Sequence, residues 1–515
     1  MDTAIMPLPP VSRHALPSVA TAPSGSPATD ASTLFRPGDN CWRVTTADRA
    51  AFLIDADAYF STLETVLRSA RRSITIVGWD FDGRIRLRPR EDEAVSPPLG
   101  TLLRQLVEAH PGLEVRILVW SLSLLHTNSA VLPMVFGAEW QRHPRIRVAL
   151  DSHHPFYAAH HQKIVCVDGR IAFIGGIDLT VNRWDTRRHR VPEPRRHAPD
   201  GDPCSPIHDL QMMVEGETAV TLCEVVGKRW RDAKGEAPDL PPCDEAEGAR
   251  WPEQVTPDFR NLPVAISRTF PGVGGEEGIE EIGRLTIDAF ATARRCLYIE
   301  TQYLTAGTYG DVLEHSLRQP EGPEIVIVMC RRSRGVVEHF IMGVNRDRMI
   351  RRLRRADRRG RLRVCWPQVP APDGAKEVVV HSKLIIVDDR LVKIGSSNLN
   401  NRSIGLDTEC DATIAARTPD HAAAVVALRD RLIAEHLGVE EEQFSALVAE
   451  HGSVVAAIDA CPEGARCLET FRAMRERGAT TPLVGTGLLD PQRPFNGFAR
   501  LREALFGPDR SRRRV

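Results

Sequence analysis

The chain has 515 residues, 42% hydrophobic and 26% charged, enough for more than one core and ordinary for a globular protein. Its formal net charge of −1 excludes a polycation, so any anion binding must be local. No apolar run approaches a membrane span, and the 11 cysteines form no paired CxxC cluster, which argues against an integral membrane protein and a disulfide framework.

Residues 1–36 are rich in Pro, Ser, Ala and Thr and read as a disordered segment without a secretion signal. A first half follows over 37–235. Helical spacing runs over 58–70 and 102–109. Strands are expected at 73–81, 115–120 and 146–150. Asp151, His153, His154, His160 and His161 then crowd together. Their spacing matches no closed metal cluster, and they read as a polar loop.

Next comes His161-Gln-Lys163-Ile-Val-Cys-Val-Asp168, an HxKxxxxD pattern, with Asp168-Gly169 suited to a hairpin turn. Residues 186–206 are polar and aperiodic: a solvated surface loop, or one over the mouth of a site. A strand at 208–216 and a helix at 219–232 close the half. Residues 236–262, rich in Pro, Gly and acids, read as a linker.

The second half, 263–440, repeats the plan. Helices are expected over 278–294 and 340–359, strands over 296–303 and 324–330. The 340–359 helix and its exit carry nine arginines between Arg348 and Arg363. They read as a solvated face or as a patch for anionic head groups or nucleic acid. Val378–Val387 reads as one strand containing His381 and Lys383, two apart and so on one face. Asp388 falls on the other face, as a carboxylate holding the turn. Residues 441–515 read as a helical extension with no chemistry.

The two motifs match beyond their signatures. Gly175 stands at the same offset from His161 as Gly395 does from His381, and Asp178 and Asn398 match in the same way. One supersecondary unit therefore occurs twice, as an internal duplication would place it. Only six of the 67 basic residues are lysines, yet both motifs carry one. An ammonium is a compact point charge that a planar guanidinium does not replace at a tight site.

Two His-Lys pairs suit one site between the halves, with Asp178, Ser396 and Asn398 on the turns beside it. Two ammonium groups would neutralise a phosphate and the charge growing on it in the transition state. One histidine can attack phosphorus, and the other can protonate the leaving alcohol and then activate water. This chemistry needs no metal and no cofactor. The symmetry of the repeat does not say which histidine does which.

The doubled motif resembles the phospholipase D superfamily. Gly175-Gly-Ile-Asp178-Leu-Thr with Arg183-Trp-Asp185, and Gly395-Ser-Ser-Asn398-Leu-Asn-Asn-Arg-Ser403, are similar to its phospholipase D branch, as is Glu300-Thr-Gln-Tyr303. The resemblance spans roughly residues 40–440. It implies an α/β fold of two similar halves, each a mixed sheet flanked by helices, with the active site at their pseudo-twofold interface. The motif residues His161, Lys163, Asp168, His381, Lys383 and Asp388 would form the catalytic set, His161 as nucleophile and His381 as acid. Glu409 would orient His381, and Asp185 would serve His161. The implied activity is hydrolysis of a glycerophospholipid to phosphatidate, with transfer to a primary alcohol in competition with water. A cardiolipin synthase-like transferase and a nuclease are the alternatives. The enzyme would work as a monomer in the cytoplasm, peripheral to the membrane, with no stable nucleic-acid partner.

Overall fold

The computed structural model describes residues 31–493, except 122–136, 156, 237–247, 274–275, 332–341, 463, 465, 474–476, 484–485 and 487–489. The N-terminal segment expected to be disordered lies mostly outside these residues. Its end is placed: Ala31–Leu34 forms a 3-10 turn, and Phe35 is buried.

Strands Ile146–Asp151, Glu114–Trp120, Ser73–Gly78, Ile164–Val167, Ile171–Gly175 and Leu210–Gly216 are neighbours in that order. Strands Leu362–Ala371, Glu324–Met329, Cys296–Thr301, Leu384–Val387, Leu391–Gly395 and Glu409–Ala415 repeat that order. In each set the first three strands run parallel and the later pairings are antiparallel. Parallel neighbours need crossover connections, and helices Leu99–Ala109, Gly307–Arg318 and Val344–Ala356 lie in three of them.

Two long strands join the halves. Arg43–Ile54 pairs with Leu210–Gly216, Phe259–Phe270 pairs with Glu409–Ala415, and the two pair with each other. The expected linker is thus corrected at its end, because residues from Phe259 onward belong to the sheet. Before that, Ala249 is already buried and its N–H donates to Asp168.

Both faces of the sheet are covered, so its strands read as continuous apolar runs. Tyr59, Phe60 and Leu63 pack on one side of the first half, with the Tyr59 and Phe173 rings 5.5 Å apart. Truncating Phe173 to Ala would cost about 3–5 kcal/mol. A separate cluster runs through both halves and takes in helices Glu217–Lys234 and Pro419–Leu437. The second of these has clear stops. The Thr418 side chain accepts from the His421 N–H, Pro419 opens the helix, and Gly438 ends it at φ 72°. Its last turn brings Glu435 and His436 into the interior.

The C-terminal extension is not all helix. Helices Glu441–His451 and Val454–Ala460 are followed by strand Cys467–Thr470, which pairs with Leu362–Ala371. The arginine run is also corrected. Arg348 donates to the Thr481 carbonyl, Arg351 to Ala479, Arg354 to Phe471 and Arg355 to Gly478. Arg361 binds carbonyls of Leu317 and Gln319, and Arg363 pairs with Asp459. Most of the run clamps its own C-terminal segment. Arg358 and Arg359 remain exposed.

Candidate active site

The stretch read as one strand is broken at the motif. Val379–Val380 pairs with Ile207–His208, and the main sheet resumes only at Leu384. His381, Ser382 and Lys383 lie in the gap, as His161 and Lys163 lie just before Ile164–Val167. Each histidine backbone is fastened to the opposite half. The His161 N–H donates to the Thr408 carbonyl and the His381 N–H to the His208 carbonyl, at 2.9 and 2.8 Å. Each lysine then folds back onto its histidine: both Nζ atoms donate to the carbonyl two residues earlier.

Thr408 and His208 are each followed by a buried acid, and the two acids cross over between the halves. Glu409 places both carboxylate oxygens 3.1 Å from His161 Nδ1, which also reaches the Ser396 carbonyl at 2.9 Å. Asp209 lies 2.6 Å from His381 Nδ1. This corrects the expectation that Glu409 orients His381. It also corrects Asp185, whose oxygens are taken by His189, Arg196 and the Ile207 N–H. With Nδ1 held on both rings, the proton is fixed there and Nε2 is left for chemistry.

The surroundings of the two acids differ. Glu409 accepts from the Ser396 and Ser403 hydroxyls, and burial pushes its carboxyl up to about 8. Burial also raises Asp209, but Lys383 and Arg183 oppose it, leaving it at about 6. Asp209 fits only because residue 176 is glycine: a Cβ there would collide with its carboxylate. In the other half that position is Ser396, whose hydroxyl binds Glu409. Burial and the two lysines hold His161 well below the ordinary imidazole range. Burial, Lys383, Arg183 and Lys163 do the same for His381. Burial also brings Lys383 down to about 8.

Asp178 sits 3.2 Å from Lys163 Nζ and accepts from the Trp79 N–H at 2.9 Å. Its counterpart Asn398 has a buried Oδ1 with no hydrogen-bond partner among the described residues. Asp168 and Asp388 are not in the pocket. Asp168 accepts from the N–H groups of Arg71, Arg72, Ser73 and Ala249, and Asp388 from those of Arg294, Arg295 and Cys296. Both stand at positive φ, 54° and 55°, and pin the hairpin turns to the strands Ser73–Gly78 and Cys296–Thr301.

The histidine-rich stretch before the first motif is a buttress. His160 and Arg229 both engage Asp151, and Arg229 also holds Gln162, which bonds to the Glu409 carbonyl. Among the described residues the ligand sets able to gather round a metal lie elsewhere. They are Asp55, His189, His208 and Glu435, and His208, Glu300 and His436, all buried. One of their acids, Glu435, already pairs with Arg187, while the ion-pair partners of Asp55 and Glu300 among the described residues are the histidines of the sets. Burial alone would lower His189, but Asp55, Asp185 and Glu435 hold it up at about 9, so it carries a proton.

A family model described as Phospholipase D matches residues 66–258 and 373–481, more than half of the chain and both motifs. The chain belongs to the phospholipase D family. It is 23% identical to phospholipase D gamma 2 of Arabidopsis thaliana over 80% of this chain and 63% of that one. Phospholipase D A of Dictyostelium discoideum is 25% identical, over 68% of this chain and 31% of its own length. Phospholipase D1 of Schizosaccharomyces pombe is 23% identical, over 76% and 35%. The chain thus spans less than two thirds of these relatives. A solved structure of phosphatidylserine synthase from Haemophilus influenzae Rd KW20 superposes with a TM-score of 0.51 at 15% identity. It covers 82% of this chain and 96% of that one, so the two chains share a fold.

Asp209 escaped the sequence reading of this phospholipase D family site. The signal was there in the strand order: Leu210–Gly216 and Glu409–Ala415 are equivalent strands, one starting just after an acid and the other at one. Spacing hid it, because Asp209 lies much further beyond its motif histidine than Glu409 lies beyond its own. The 186–206 segment accounts for the difference. That segment is not a solvated loop throughout, since His189 and Arg196 are buried.

Proposed function

We propose that the chain is a phosphodiesterase that cleaves glycerophospholipids on the head-group side and releases phosphatidate. The observation that carries this reading is the crossed pair of acids, Glu409 on His161 and Asp209 on His381. It supports a single site built by both halves of one chain, in which each Nε2 is left for substrate and two lysines stand by.

In the first step His161 Nε2 attacks phosphorus. The bond from phosphorus to the head-group oxygen breaks, and His381 gives that oxygen its proton. In the second step His381 takes a proton from water, the new hydroxide attacks phosphorus, and the phosphorus–nitrogen bond breaks. The acids favour this assignment of roles. At neutral pH Asp209 is ionised and supports an imidazolium on His381, as an acid requires. Glu409 is protonated and leaves His161 neutral, as a nucleophile requires. Lys163 and Lys383 offset the charge on the phosphoryl oxygens. A substrate anion between the lysines also lifts the depressed His381, readying it as a donor.

The covalent intermediate lets a primary alcohol replace water and form a phosphatidyl-alcohol. Among the described residues no helix is long and apolar enough to cross a membrane. We place the enzyme at the membrane surface, working as a monomer in the cytoplasm. The test is incubation with phosphatidylcholine vesicles and ethanol, with lipid products resolved by mass. Phosphatidate and phosphatidylethanol are expected. Neither product from any of several head groups, together with cleavage of single-stranded DNA, would replace this reading with the nuclease.

A further inference from the structure

The two lysines are not the whole cationic face of the site. Arg183 follows Asp178 in the same loop, just after Asn182, which turns the chain at φ 59°. The turn is fixed on its far side: Trp184 is buried, and Asp185 is tied to His189, Arg196 and the Ile207 N–H. The Arg183 side chain is only 13% exposed. A guanidinium has five N–H donors and no way to shed its charge. Among the described residues Arg183 makes one hydrogen bond, 3.3 Å from Nη1 to the Asn182 carbonyl, and its buried Nε has no partner. Its ion-pair partner is Asp178, 4.0 Å from Nη2, and Asp178 is already 3.2 Å from Lys163 Nζ. A half-buried cation with a buried Nε so poorly matched calls for an oxygen-rich anion.

Through Asp178, which lies beside Lys163, Arg183 borders the site of the two His-Lys pairs. The charge of Arg183 acts on His381, Lys383 and Asp209. The residue that stands to His381 as Arg183 stands to His161 is Ser403, whose hydroxyl serves Glu409. Charge counting gives the stoichiometry. Lys163, Lys383 and Arg183 face Asp178 and Asp209, which leaves one positive charge, enough for one phosphodiester monoanion. Without Arg183 the site is neutral.

We propose that Arg183 is a third cation of the anion site, donating to the phosphoryl oxygens of the substrate from the first-half side. This rests on the phosphodiesterase reading for its substrate, but not for its anion binding, and the test separates the two. Inorganic phosphate is titrated calorimetrically into the full-length protein and into R183Q and R183K. Phosphatidylcholine hydrolysis is followed in parallel, with and without added guanidinium.

The R183Q variant is expected to bind phosphate about 10-fold more weakly, the worth of one charge-assisted hydrogen bond. Its kcat/KM should fall about 100-fold, chiefly in kcat, the loss expected for one transition-state donor. Guanidinium should restore part of it, and R183K should lie between R183Q and the parent. Unchanged phosphate affinity in both variants overturns the proposal. So does a kcat/KM within about threefold of the parent, or a defect that guanidinium leaves untouched. If the parent does not hydrolyse phosphatidylcholine, the substrate reading falls. The phosphate titration then still decides the role of Arg183.

Discussion

Glu409 bonds to His161 across 248 residues of sequence, and Asp209 answers it by bonding to His381 across 172. Each half therefore carries the histidine of one pair and the acid of the other. The consequence is directional. Asp209→Asn should weaken His381 as an acid and lower kcat by about 10²–10⁴ on a natural alcohol head group. Much of that loss should vanish with a p-nitrophenyl leaving group, which needs no proton. Glu409→Gln should slow both substrates alike, because it acts on the attacking ring. Single-turnover kinetics with the two substrates makes the comparison, and the reverse pattern would exchange the roles of the histidines.

The same crossing makes each half useless alone. Expressed separately, 37–258 lacks Glu409 and 259–493 lacks Asp209, and the strand pair Arg43–Ile54 with Phe259–Phe270 is cut. Neither fragment should turn over substrate. The intact chain should be active at the size of a monomer in gel filtration. Activity confined to a dimer fraction would count against one site per chain.

The raised acids fix a pH dependence. Asp209 ionises near 6, so kcat/KM should rise through that pH, and the rising limb should move in Asp209→Asn. Lys383 loses its proton near 8 and sets the falling limb, which Lys383→Arg should carry upward at reduced rate. Stability runs differently. Glu409 holds its proton in the folded state up to about 8, against 4.5 as the ordinary value. The folded state thus binds more protons between those values, and stability contributed by Glu409 falls as pH rises through that window. Glu409→Gln should therefore melt higher than the parent at pH 8, with the gap closing below about 4.5. A lower melting temperature at pH 8 would show that the lost hydroxyl bonds outweigh the burial of charge.

Much of this was legible in the chain. The doubled motif, the matched Gly175 and Gly395, and the alternation of strands and helices locate both halves and both His-Lys pairs. Asp388 was readable as a turn carboxylate from its odd offset along the strand. What was hidden depended on pairing between halves. Arg43–Ile54 and Phe259–Phe270 hydrogen-bond to each other from opposite ends of the first half, and no local period marks such partners. The acids were assigned by spacing within a half, whereas the fold exchanges them. Arg348, Arg351, Arg354, Arg355 and Arg361 read as solvated because they donate to main-chain carbonyls, which any sequence supplies.

That last point gives a prediction at the C-terminus. Arg348, Arg351, Arg354 and Arg355 spend their donors on residues 471–481. A chain ending before Cys467 loses those acceptors and the strand pairing with Leu362–Ala371. It should melt lower than the full chain. Its uncovered arginines should also bind vesicles containing an anionic lipid more tightly, roughly 1 kcal/mol per freed charge, and the gain should fade with added salt. Flotation of both chains at two salt concentrations measures it. Equal binding by both would mean that these arginines are not held by the C-terminal segment in solution.

The motif acids provide the sharpest separation of fold from chemistry. Asp168 receives four backbone N–H groups and Asp388 three, and neither touches a motif histidine or lysine. Asp388→Ala would leave the buried Cys296 N–H without its acceptor and free the turn that holds a positive φ. The cost should be on the order of 3 kcal/mol, and Asp168→Ala should cost at least as much. Asn at either position should recover part of it, since its carbonyl oxygen still accepts and it tolerates the left-handed conformation. The folded fraction of each variant should keep kcat close to the parent. Urea unfolding alongside active-site titration distinguishes these effects. A large fall in kcat with unchanged stability would return both aspartates to the chemistry of the site.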